Sequence, residues 1–347
     1  MTKKNLIKKS ALGFFILGCI CLAACQSNLF MNKYEYTSGI TAARYYPAYI
    51  IDGGFHYPGG GVYIPNDRVL SLGTWGMTST THVSGEDFKP VPDSFSISWL
   101  CLAERQSYSG TFDLPVKKLD SLFKTGFKDR LNRQKTYNKL IVGVAPGGVV
   151  VVWISGGDLE LEIGRYQAEK IPPIDIKSYM PSSDYKDTDD FIDFQLSTLD
   201  ETAKAALDVN NIPFGQWDKW RKRYTWHPSF KFKNNQKLRN LVFNFYNGEG
   251  FFIKKPNPIL TEDRSWGVPK YIKPTWYAGD TLYGAIIELD ETETFEAFQH
   301  IFEQENSAHP QFMVEVDKYN SEIKVYLKNE ARTIELVKAR KNIYLQR

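Results

Sequence analysis

Few residues of this sequence have the types and spacing that catalysis requires. The five histidines include no H-E-x-x-H motif, and histidines and cysteines nowhere have the spacing of a zinc site. His300 and Glu303 share one face of a predicted helix, but two ligands do not complete a metal site, so we interpret His300 as a surface residue. No G-x-S-x-G nucleophile motif is present. These patterns predict a protein that is not an enzyme and has no metal site and no cofactor.

A run of aspartates is the other group that could bind a cation. It consists of Asp184, Asp187, Asp189, Asp190 and Asp193. Calcium takes oxygen ligands, but this run lacks the central glycine and the terminal glutamate of an EF-hand loop. We interpret it as a solvated linker followed by a helix N-terminus, where the helix dipole favours negative charge.

Two adjacent glycines, Gly147 and Gly148, raise the question of a phosphate-binding loop. A Walker-type loop needs a lysine and a hydroxyl residue after its last glycine, whereas four valines follow Gly148. A dinucleotide-binding loop opens a helix, whereas the valines and Trp153 favour a strand. Pro146 and Gly147 suit the central positions of a type II turn. The stretch 141–153 therefore predicts a hairpin without a phosphate site.

The beginning of the chain has the features of a secretory signal. Four lysines and no acidic residue precede an apolar run over 11–24, which is shorter than the roughly 20 residues that span a bilayer. The run ends in Leu22-Ala23-Ala24-Cys25, which resembles the lipobox of bacterial lipoproteins. The resemblance implies cleavage before Cys25, a lipid anchor with palmitate on that residue and, because Gln26 follows, sorting to the outer membrane with the body facing the periplasm. The alternative is an ordinary signal peptide with incidental cysteines.

Cleavage would change the charge and the cysteine content of the chain. The sequence has 43 lysines and arginines and 40 aspartates and glutamates, so loss of four lysines with residues 1–25 leaves 39 cationic residues against 40 acidic ones. A nearly neutral body argues against nucleic-acid binding, and membrane attachment is expected through the lipid. Only Cys101 remains besides the lipidated cysteine, and its alternation with serines predicts a buried strand position rather than a catalytic thiol.

The first half of the body contains a strand, a helix and three further strands. Residues 94–103 alternate as a half-buried strand does. The apolar residues of the following helix fall on one face: Val116, Leu119, Leu122 and Phe123. Asp113 is expected to cap this helix and Gly126 to end it. The three strands that follow are predicted over 139–145, 149–155 and 159–166.

The second half repeats this order. A strand over 282–289 precedes a helix with one apolar face, formed by Phe295, Phe298, Ile301 and Phe302. Three strands follow, over 311–316, 322–327 and 333–340. The corresponding stretches are Val142-Gly143-Val144 with Val314-Glu315-Val316, Trp153 with Tyr326, and Arg44-Tyr45-Tyr46-Pro47 with Thr225-Trp226-His227-Pro228. We interpret the body as a diverged tandem duplication.

The repeat sets the predicted domain boundaries. They are a signal peptide over 1–25, a first domain over 26–171, a linker and helical insert over 172–222, and a second domain over 223–347. The join is rich in proline, serine and aspartate, and helices are expected after it. The fold class is α+β: two tandem-duplicated domains, each a mainly antiparallel sheet with one long helix packed on it.

Aromatic residues in glycine-rich loops are the candidate binding residues. The loops are 55–66, 73–80, 245–252 and 274–280. Rigid aromatic side chains on loops are favoured at protein interfaces. The candidate partner-binding residues are His56, Tyr57, Tyr63, Trp75, Trp276 and Tyr277. The alternative is that these loops are hairpin turns whose aromatic residues cover sheet edges.

Several stretches resemble a bacterial lipoprotein family known as domain of unknown function 2931. They are the lipobox, Arg44-Tyr45-Tyr46-Pro47, Trp99-Leu100 with Ala103-Glu104, Leu114-Pro115, and 142–149 through Trp153. Two stretches of the second half are also similar, Tyr224-Thr225-Trp226-His227-Pro228 and Asn247-Gly248-Glu249. The resemblance implies no catalytic residues. Some similar periplasm-facing lipoproteins are encoded beside toxic effectors of type VI secretion, which are often lipases, and act as immunity proteins.

Three functions are therefore open. The first is an outer-membrane-anchored protein that binds and neutralises a secreted, lipase-like toxin. The second is a lipoprotein of envelope assembly or maintenance that binds an endogenous protein. The third is a hydrolase, for which a deep cleft lined by His227 and Glu249 should be present.

Overall fold

Antiparallel strands form most of the structure. The computed structural model describes residues 32–71, 73–129, 131–157, 159–254, 260–303 and 309–346. Strands make up 47% and helices 17%, with mainly antiparallel sheets, so the predicted α+β class is confirmed. The signal peptide and Cys25 lie outside the described residues. No helix in the described part of the chain is long and apolar enough to cross a membrane.

The secondary-structure elements follow one another closely along the chain. The strands up to residue 171 are β1 (Lys33–Glu35), β2 (Thr37–Ala42), β3 (Ala48–Tyr57), β4 (Gly60–Tyr63), β5 (Arg68–Leu70), β6 (Thr80–His82), β7 (Phe88–Pro90), β8 (Ser94–Cys101), β9 (Gln106–Asp113), β10 (Phe127–Lys128), β11 (Gln134–Lys135), β12 (Lys139–Ala145), β13 (Val149–Ser155), β14 (Glu160–Gln167) and β15 (Glu169–Ile171). The later strands are β16 (Tyr224–Phe232), β17 (Lys237–Phe245), β18 (Gly250–Lys254), β19 (Arg264–Trp266), β20 (Pro269–Ala278), β21 (Thr281–Glu288), β22 (Gln311–Val316), β23 (Ile323–Lys328), β24 (Thr333–Glu335) and β25 (Arg340–Leu345). The helices are α1 (Val116–Thr125), α2 (Ile176–Tyr179), α3 (Thr188–Ser197), α4 (Glu201–Ala206), α5 (Gln216–Trp220) and α6 (Glu291–Phe302).

A ten-stranded sheet runs through both halves of the chain. Its order is β25-β21-β20-β17-β18-β14-β13-β12-β2-β6, so five strands come from each half. A six-stranded sheet (β15-β9-β8-β3-β4, with β5 on β3) belongs to the first half, and a five-stranded sheet (β19-β16-β22-β23-β24) to the second. The halves meet where β14 and β18 share a single residue pair, Glu160 with Gly250. We call this junction the seam.

The hairpin β12–β13 confirms the predicted turn. Gly147 has φ 77° and ψ 13°, the values that the third residue of a type II turn needs. Every residue of β13 is buried, because its two faces enter different cores: Val150 and Val152 pack in one, Val151 and Trp153 in the other. A strand covered on both faces reads as a continuous apolar run, which explains the four valines.

Helix α1 forms as its apolar spacing predicts, with one difference at its start. Leu119 and Phe123 are buried, and Gly126 ends the helix at φ 61° while its N–H bonds to the carbonyl of Leu122. The N-terminal cap is Pro115, which offers no side-chain acceptor, so the expected cap by Asp113 is wrong. Helix α6 has a side-chain cap, as its Asp290 accepts a hydrogen bond from the Glu293 N–H at 2.9 Å.

The two halves share strand order and register. In the first, β2 runs parallel to β12, which pairs with β13 and then β14; in the second, β16 runs parallel to β22, which pairs with β23 and then β24. Trp153 lies opposite Ile141, and Tyr326 opposite Met313, which agrees with the proposed equivalence of Trp153 and Tyr326. A duplicated unit would have this arrangement, and the duplication itself stays a prediction.

Two details of the predicted repeat are wrong. Arg44–Pro47 connects β2 to β3, whereas Thr225–Pro228 lies inside β16, so these stretches occupy different places in the shared order. The strand predicted over 333–340 ends at Glu335, and the chain begins β25 in another sheet at Arg340.

The segment 172–222 packs on the body. Ile176 of α2 and Phe191 of α3 are buried against the outer face of the six-stranded sheet, with Tyr49 and Leu100 beneath them. Further on, α5 buries both of its tryptophans in the core that contains Trp153. The domain boundaries stay predictions, while the segment itself contributes to two apolar clusters.

The aspartate run confirms its interpretation as a helix N-terminus. Asp187 caps α3 by accepting a hydrogen bond from the Asp190 N–H at 2.9 Å. Asp189 and Asp193 both form ion pairs with Arg105, at 2.8 Å for the first. The run therefore fixes α3 to the sheet that carries Arg105.

Candidate functional site

Three of the candidate partner-binding residues lie together on the hairpin β3–β4. His56 and Tyr57 end β3, and Tyr63 ends β4 opposite Gly54. The His56 side chain is exposed and its Nε2 lies 2.9 Å from the Ser96 Oγ. Tyr63 exposes 68% of its surface. His56 and Tyr63 therefore share one face at this sheet edge, while Tyr57 is half-buried against the core on the other face.

A second loop adds exposed apolar residues beside that hairpin. A Cβ built on Gly85 would lie 3.4 Å from the carbonyl oxygen of Gly61 and 3.7 Å from the Tyr57 hydroxyl, so the loop touches the hairpin. Val83 on this loop is 74% exposed, and Phe88, which begins β7 directly after it, is 59% exposed. We name the group His56, Tyr57, Tyr63, Val83 and Phe88 the hairpin-edge surface. Sequence reasoning missed Val83 and Phe88 because their loop is neither glycine-rich nor predicted to pack on β4.

The edge strand β4 is closed to strand addition at Tyr63. The Tyr63 N–H donates to the Ser84 Oγ at 3.1 Å, and the Ser38 hydroxyl donates to the Tyr63 carbonyl. An incoming strand would need those backbone groups. A partner would therefore contact side chains here and not the backbone of β4. An open cavity of about 240 Å³ lies next to them, and its lining includes Asp52, His56, Tyr63 and Ser96.

Trp75 and Trp276 are not available to a partner, which corrects the prediction for both. Trp276 lies within β20, is fully buried, and donates its indole N–H to the Asn320 Oδ1 at 2.8 Å. Trp75 is 6% exposed and packs edge-on against Trp153, with ring centres 5.0 Å apart. Tyr277 is 39% exposed beside the Arg239 guanidinium and stands apart from the hairpin. Ile272, Pro274 and Trp276 are buried at alternate positions of β20, as expected for a strand with one face in the core. The segment 274–278 is therefore part of a strand and not the predicted loop.

The glycine loops around Trp75 and Gly248 hold the two halves together. Gly76 and Gly248 have φ of 92° and 85°, and a Cβ built on Gly76 would lie 2.0 Å from the Gly248 carbonyl oxygen. The Trp153 indole N–H donates to the Asn247 carbonyl at 3.0 Å. Only glycine permits such a backbone approach in this conformation. The motif Asn247-Gly248-Glu249 is thus explained by the seam.

Two buried carboxylates reinforce the seam. Glu162 on β14 pairs with Arg221 at 2.7 Å, and Glu249 pairs with Arg223 at 2.6 Å. Glu249 also accepts a hydrogen bond from the Glu162 N–H at 3.2 Å, which crosses from one half to the other. Burial raises the pKa of Glu162, and Arg221 offsets only part of that effect. The Glu162 N–H bond to Glu249 connects the halves, and the Glu162–Arg221 pair joins β14 to the helical insert, where the sheet itself shares one residue pair.

In the described part of the chain, His227 and Glu249 bond to different groups, His227 to Asp263 and Glu249 to Arg223. His227 Nδ1 lies 2.7 Å from Asp263 Oδ1, and His309 Nδ1 lies 2.5 Å from the other oxygen of the same carboxylate. Burial acts to raise the pKa of Asp263, but the hydrogen bonds of the two histidines outweigh it and the pKa lies below its usual value.

Cys101 and Glu104, the other residues that could take part in chemistry, contribute to the fold. Cys101 is buried, and burial together with the nearby Glu104 raises the pKa of its thiol, which confirms a core residue. Glu104 holds the β12–β13 turn by accepting the Gly147 N–H at 2.8 Å and the Tyr108 hydroxyl at 2.9 Å. No group of three or more potential metal ligands occurs in the described part of the chain.

One comparison with known proteins gave a match. The family model described as a protein of unknown function, DUF2931, matches residues 23–215, which is more than half of the chain. The similar stretches proposed for the second half, 224–228 and 247–249, lie beyond that match. No curated protein and no solved structure matches.

Proposed function

This chain belongs to the DUF2931 family of proteins of unknown function, and we propose from that premise that it is a protein-binding lipoprotein. It is anchored in the outer membrane through Cys25, faces the periplasm, and neutralises a secreted, lipase-like toxin by occluding it. The observation that carries the binding role is the hairpin-edge surface. The side chains of Tyr63, Val83 and Phe88 are exposed there, and His56 forms a hydrogen bond with Ser96. Interface centres have this mixture of aromatic anchors and polar neighbours.

A role in envelope assembly or maintenance is the alternative for the same surface. Either function needs a lipid anchor and a protein partner, and they differ only in whether the partner is a delivered toxin or an endogenous protein. A hydrolase is less well supported, because His227 and Glu249 bond to different groups, His227 to Asp263 and Glu249 to Arg223.

The lipid anchor has a direct test in the cysteines of the signal. Cys25→Ala is expected to abolish incorporation of labelled palmitate and to remove the protein from the outer-membrane fraction, because the lipid requires that sulfur. Cys21→Ala is the matched control, since it removes a neighbouring thiol and keeps the lipobox. Label that persists in the Cys25→Ala protein would contradict the anchor.

The hairpin-edge surface has a matched pair of variants. A Tyr63→Ala/Phe88→Ala protein is expected to bind the partner at least roughly tenfold more weakly, because truncating two aromatic anchors of an interface removes hot-spot contacts. Tyr319→Ala/Val337→Ala is the control, as these side chains are 72% and 67% exposed elsewhere on the molecule. The partner is first captured from secreted and envelope fractions with the wild-type chain, and its affinity for the three proteins is then measured by calorimetry.

The identity of the captured partner separates the two binding functions. A secreted hydrolase whose activity falls on stoichiometric binding supports the toxin-neutralising role. An endogenous envelope protein supports the alternative. Equal affinity of both double variants would exclude the hairpin-edge surface as the interface.

A further inference from the structure

A strongly basic surface lies on helix α1 and the ribbon β10–β11. Over residues 116–129 and 131–139 the chain carries seven cationic residues, which are Lys117, Lys118, Lys124, Lys128, Arg133, Lys135 and Lys139. The same residues include two acidic ones, Asp120 and Asp129. The body as a whole is nearly neutral once the signal is removed, so this excess is local. We name it the basic ribbon surface.

Four of these cations are free for an anionic partner. Lys118 donates to the carbonyls of Glu162 and Ile163, and Arg133 pairs with Asp129 at 2.8 Å, so both serve the protein itself. The other four exposed lysines have no ion pair with a described residue, and they are Lys117, Lys124, Lys128 and Lys135. Lys117 and Lys124 are seven residues apart on one exposed helical face.

The tip of the ribbon presents a leucine to solvent. Leu131 is 65% exposed. Its backbone is held in place, because Asp129 accepts hydrogen bonds from the N–H groups of Leu131 and Arg133 at 2.8 and 2.9 Å. The ribbon is fixed to the helix in turn, as Gln134 donates to the Thr125 carbonyl at 2.7 Å. An exposed apolar side chain among cations is suited to insertion into a charged interface.

The N-terminal end of the described chain lies on the same helix. The Asn32 side chain donates to the Asp120 carboxylate at 3.1 Å, and the Tyr34 ring stacks on Phe123 with centres 4.9 Å apart. Seven residues lead from Cys25 to Asn32, which reach at most about 24 Å when fully extended. A lipid on Cys25 would hold α1 within that distance of the bilayer.

We propose that the basic ribbon surface docks on a phospholipid bilayer that contains anionic lipid. Lys117, Lys124, Lys128 and Lys135 lie over the headgroups, and Leu131 enters the interface between headgroups and acyl chains. The orientation rests on the proposed lipid anchor, whereas the charge and the tip are properties of the surface alone. Docking would hold the body in a fixed orientation on the membrane.

The test places a dye on this surface in the full chain. Ser121→Cys provides an exposed thiol between Lys117 and Lys124, Cys101 is buried, and the wild-type chain labelled in parallel accounts for dye on Cys19, Cys21 and Cys25. The labelled protein is mixed with vesicles of phosphatidylcholine alone or with about 30% phosphatidylglycerol. Flotation of the vesicles reports the anchor, and the emission of an environment-sensitive dye reports docking. We expect a blue shift with the anionic vesicles only, lost in about 0.5 M salt because surface charges are then screened.

Matched variants decide whether charge and tip cause the shift. Replacing the four free lysines by glutamine should lower the docking equilibrium constant at about 30% phosphatidylglycerol, taken from the size of the shift, at least roughly tenfold, and Leu131→Gln should reduce the shift. The control replaces four exposed lysines elsewhere and should keep the shift: Lys170, Lys222, Lys237 and Lys338.

The outcomes distinguish docking through the basic ribbon surface from attachment through the lipid anchor. No shift with anionic vesicles overturns the proposal and would leave an acidic protein as the occupant. An equal shift on neutral vesicles, or an equal loss in the control variant, also overturns it. A shift without flotation on neutral vesicles would sustain the surface while excluding the anchor.

Discussion

Gly76→Ala is expected to lower the free energy of unfolding by at least about 4 kcal/mol. The new Cβ would lie 2.0 Å from the Gly248 carbonyl oxygen, and 2.4 Å from its Cα, so rigid backbone on the other half of the chain must move. Movement there separates Trp75 from Trp153 and draws the Asn247 carbonyl away from the Trp153 indole. The loss is measured by urea unfolding followed through tryptophan fluorescence.

Gly59→Ala is the matched control for this change. Gly59 has φ 87°, close to the 92° of Gly76, but a Cβ built on it would meet nothing within 4 Å. Its substitution should therefore cost only the conformational strain of about 1 to 2 kcal/mol. If the two variants lose the same stability, the close approach of Gly76 to Gly248 does not hold the halves together.

Elements that depend on nearby residues could be predicted from the sequence. The apolar spacing of Leu119 and Phe123 predicted α1, and Pro146 with Gly147 predicted the turn between β12 and β13. Both are decided within about ten residues, where periodicity and turn geometry act directly. The missed cap shows the limit, because Asp113 stands in β9 and its side chain bonds no N–H of the helix.

The candidate site was predicted only in part because exposure is a tertiary property. His56, Tyr57 and Tyr63 lie on one hairpin, whereas their role in binding stays a prediction. Trp75 has the same glycine neighbours as an exposed loop residue, yet those glycines allow Gly76 to touch Gly248 and thereby bury the ring. Glycine indicates a close approach without saying whether the approaching group is a partner or the same chain.

The seam could not be predicted from any local pattern. Glu162 and Arg221 are 59 positions apart, and Glu162 with Glu249 are 87 apart. Glu162 alternates with Leu161 and Ile163, and Glu249 stands between two glycines of a turn, so the sequence favours solvent exposure for both glutamates. They are buried because β14 and β18 come edge to edge, which is decided by the packing of whole sheets.

Arg221→Met is expected to lower the free energy of unfolding by about 2 to 4 kcal/mol at pH 8, because it leaves the buried Glu162 carboxylate without its cation. The Glu162 side chain is 11% exposed, and Arg221 Nε lies 2.7 Å from its Oε1. Burial already raises the pKa of Glu162 and Arg221 counteracts this, so removal of the arginine should raise that pKa further. The cost therefore depends on whether Glu162 is charged.

The pH dependence of this loss follows from the raised pKa of Glu162. A carboxyl that binds its proton more tightly in the folded state contributes most to stability below the pKa of the unfolded chain, and this contribution is lost as pH rises through the folded pKa. The Arg221→Met protein should thus lose little stability at about pH 4 and the full amount at about pH 8.

Two controls accompany this variant. Glu162→Gln/Arg221→Met should show no such trend, because no charge remains to be buried. Lys33→Met, which removes an exposed pair with Glu86, should cost less than about 1 kcal/mol at any pH. A loss that is the same at every pH would mean that the arginine acts through the packing of its methylene groups, and that the ion pair does not stabilise the seam.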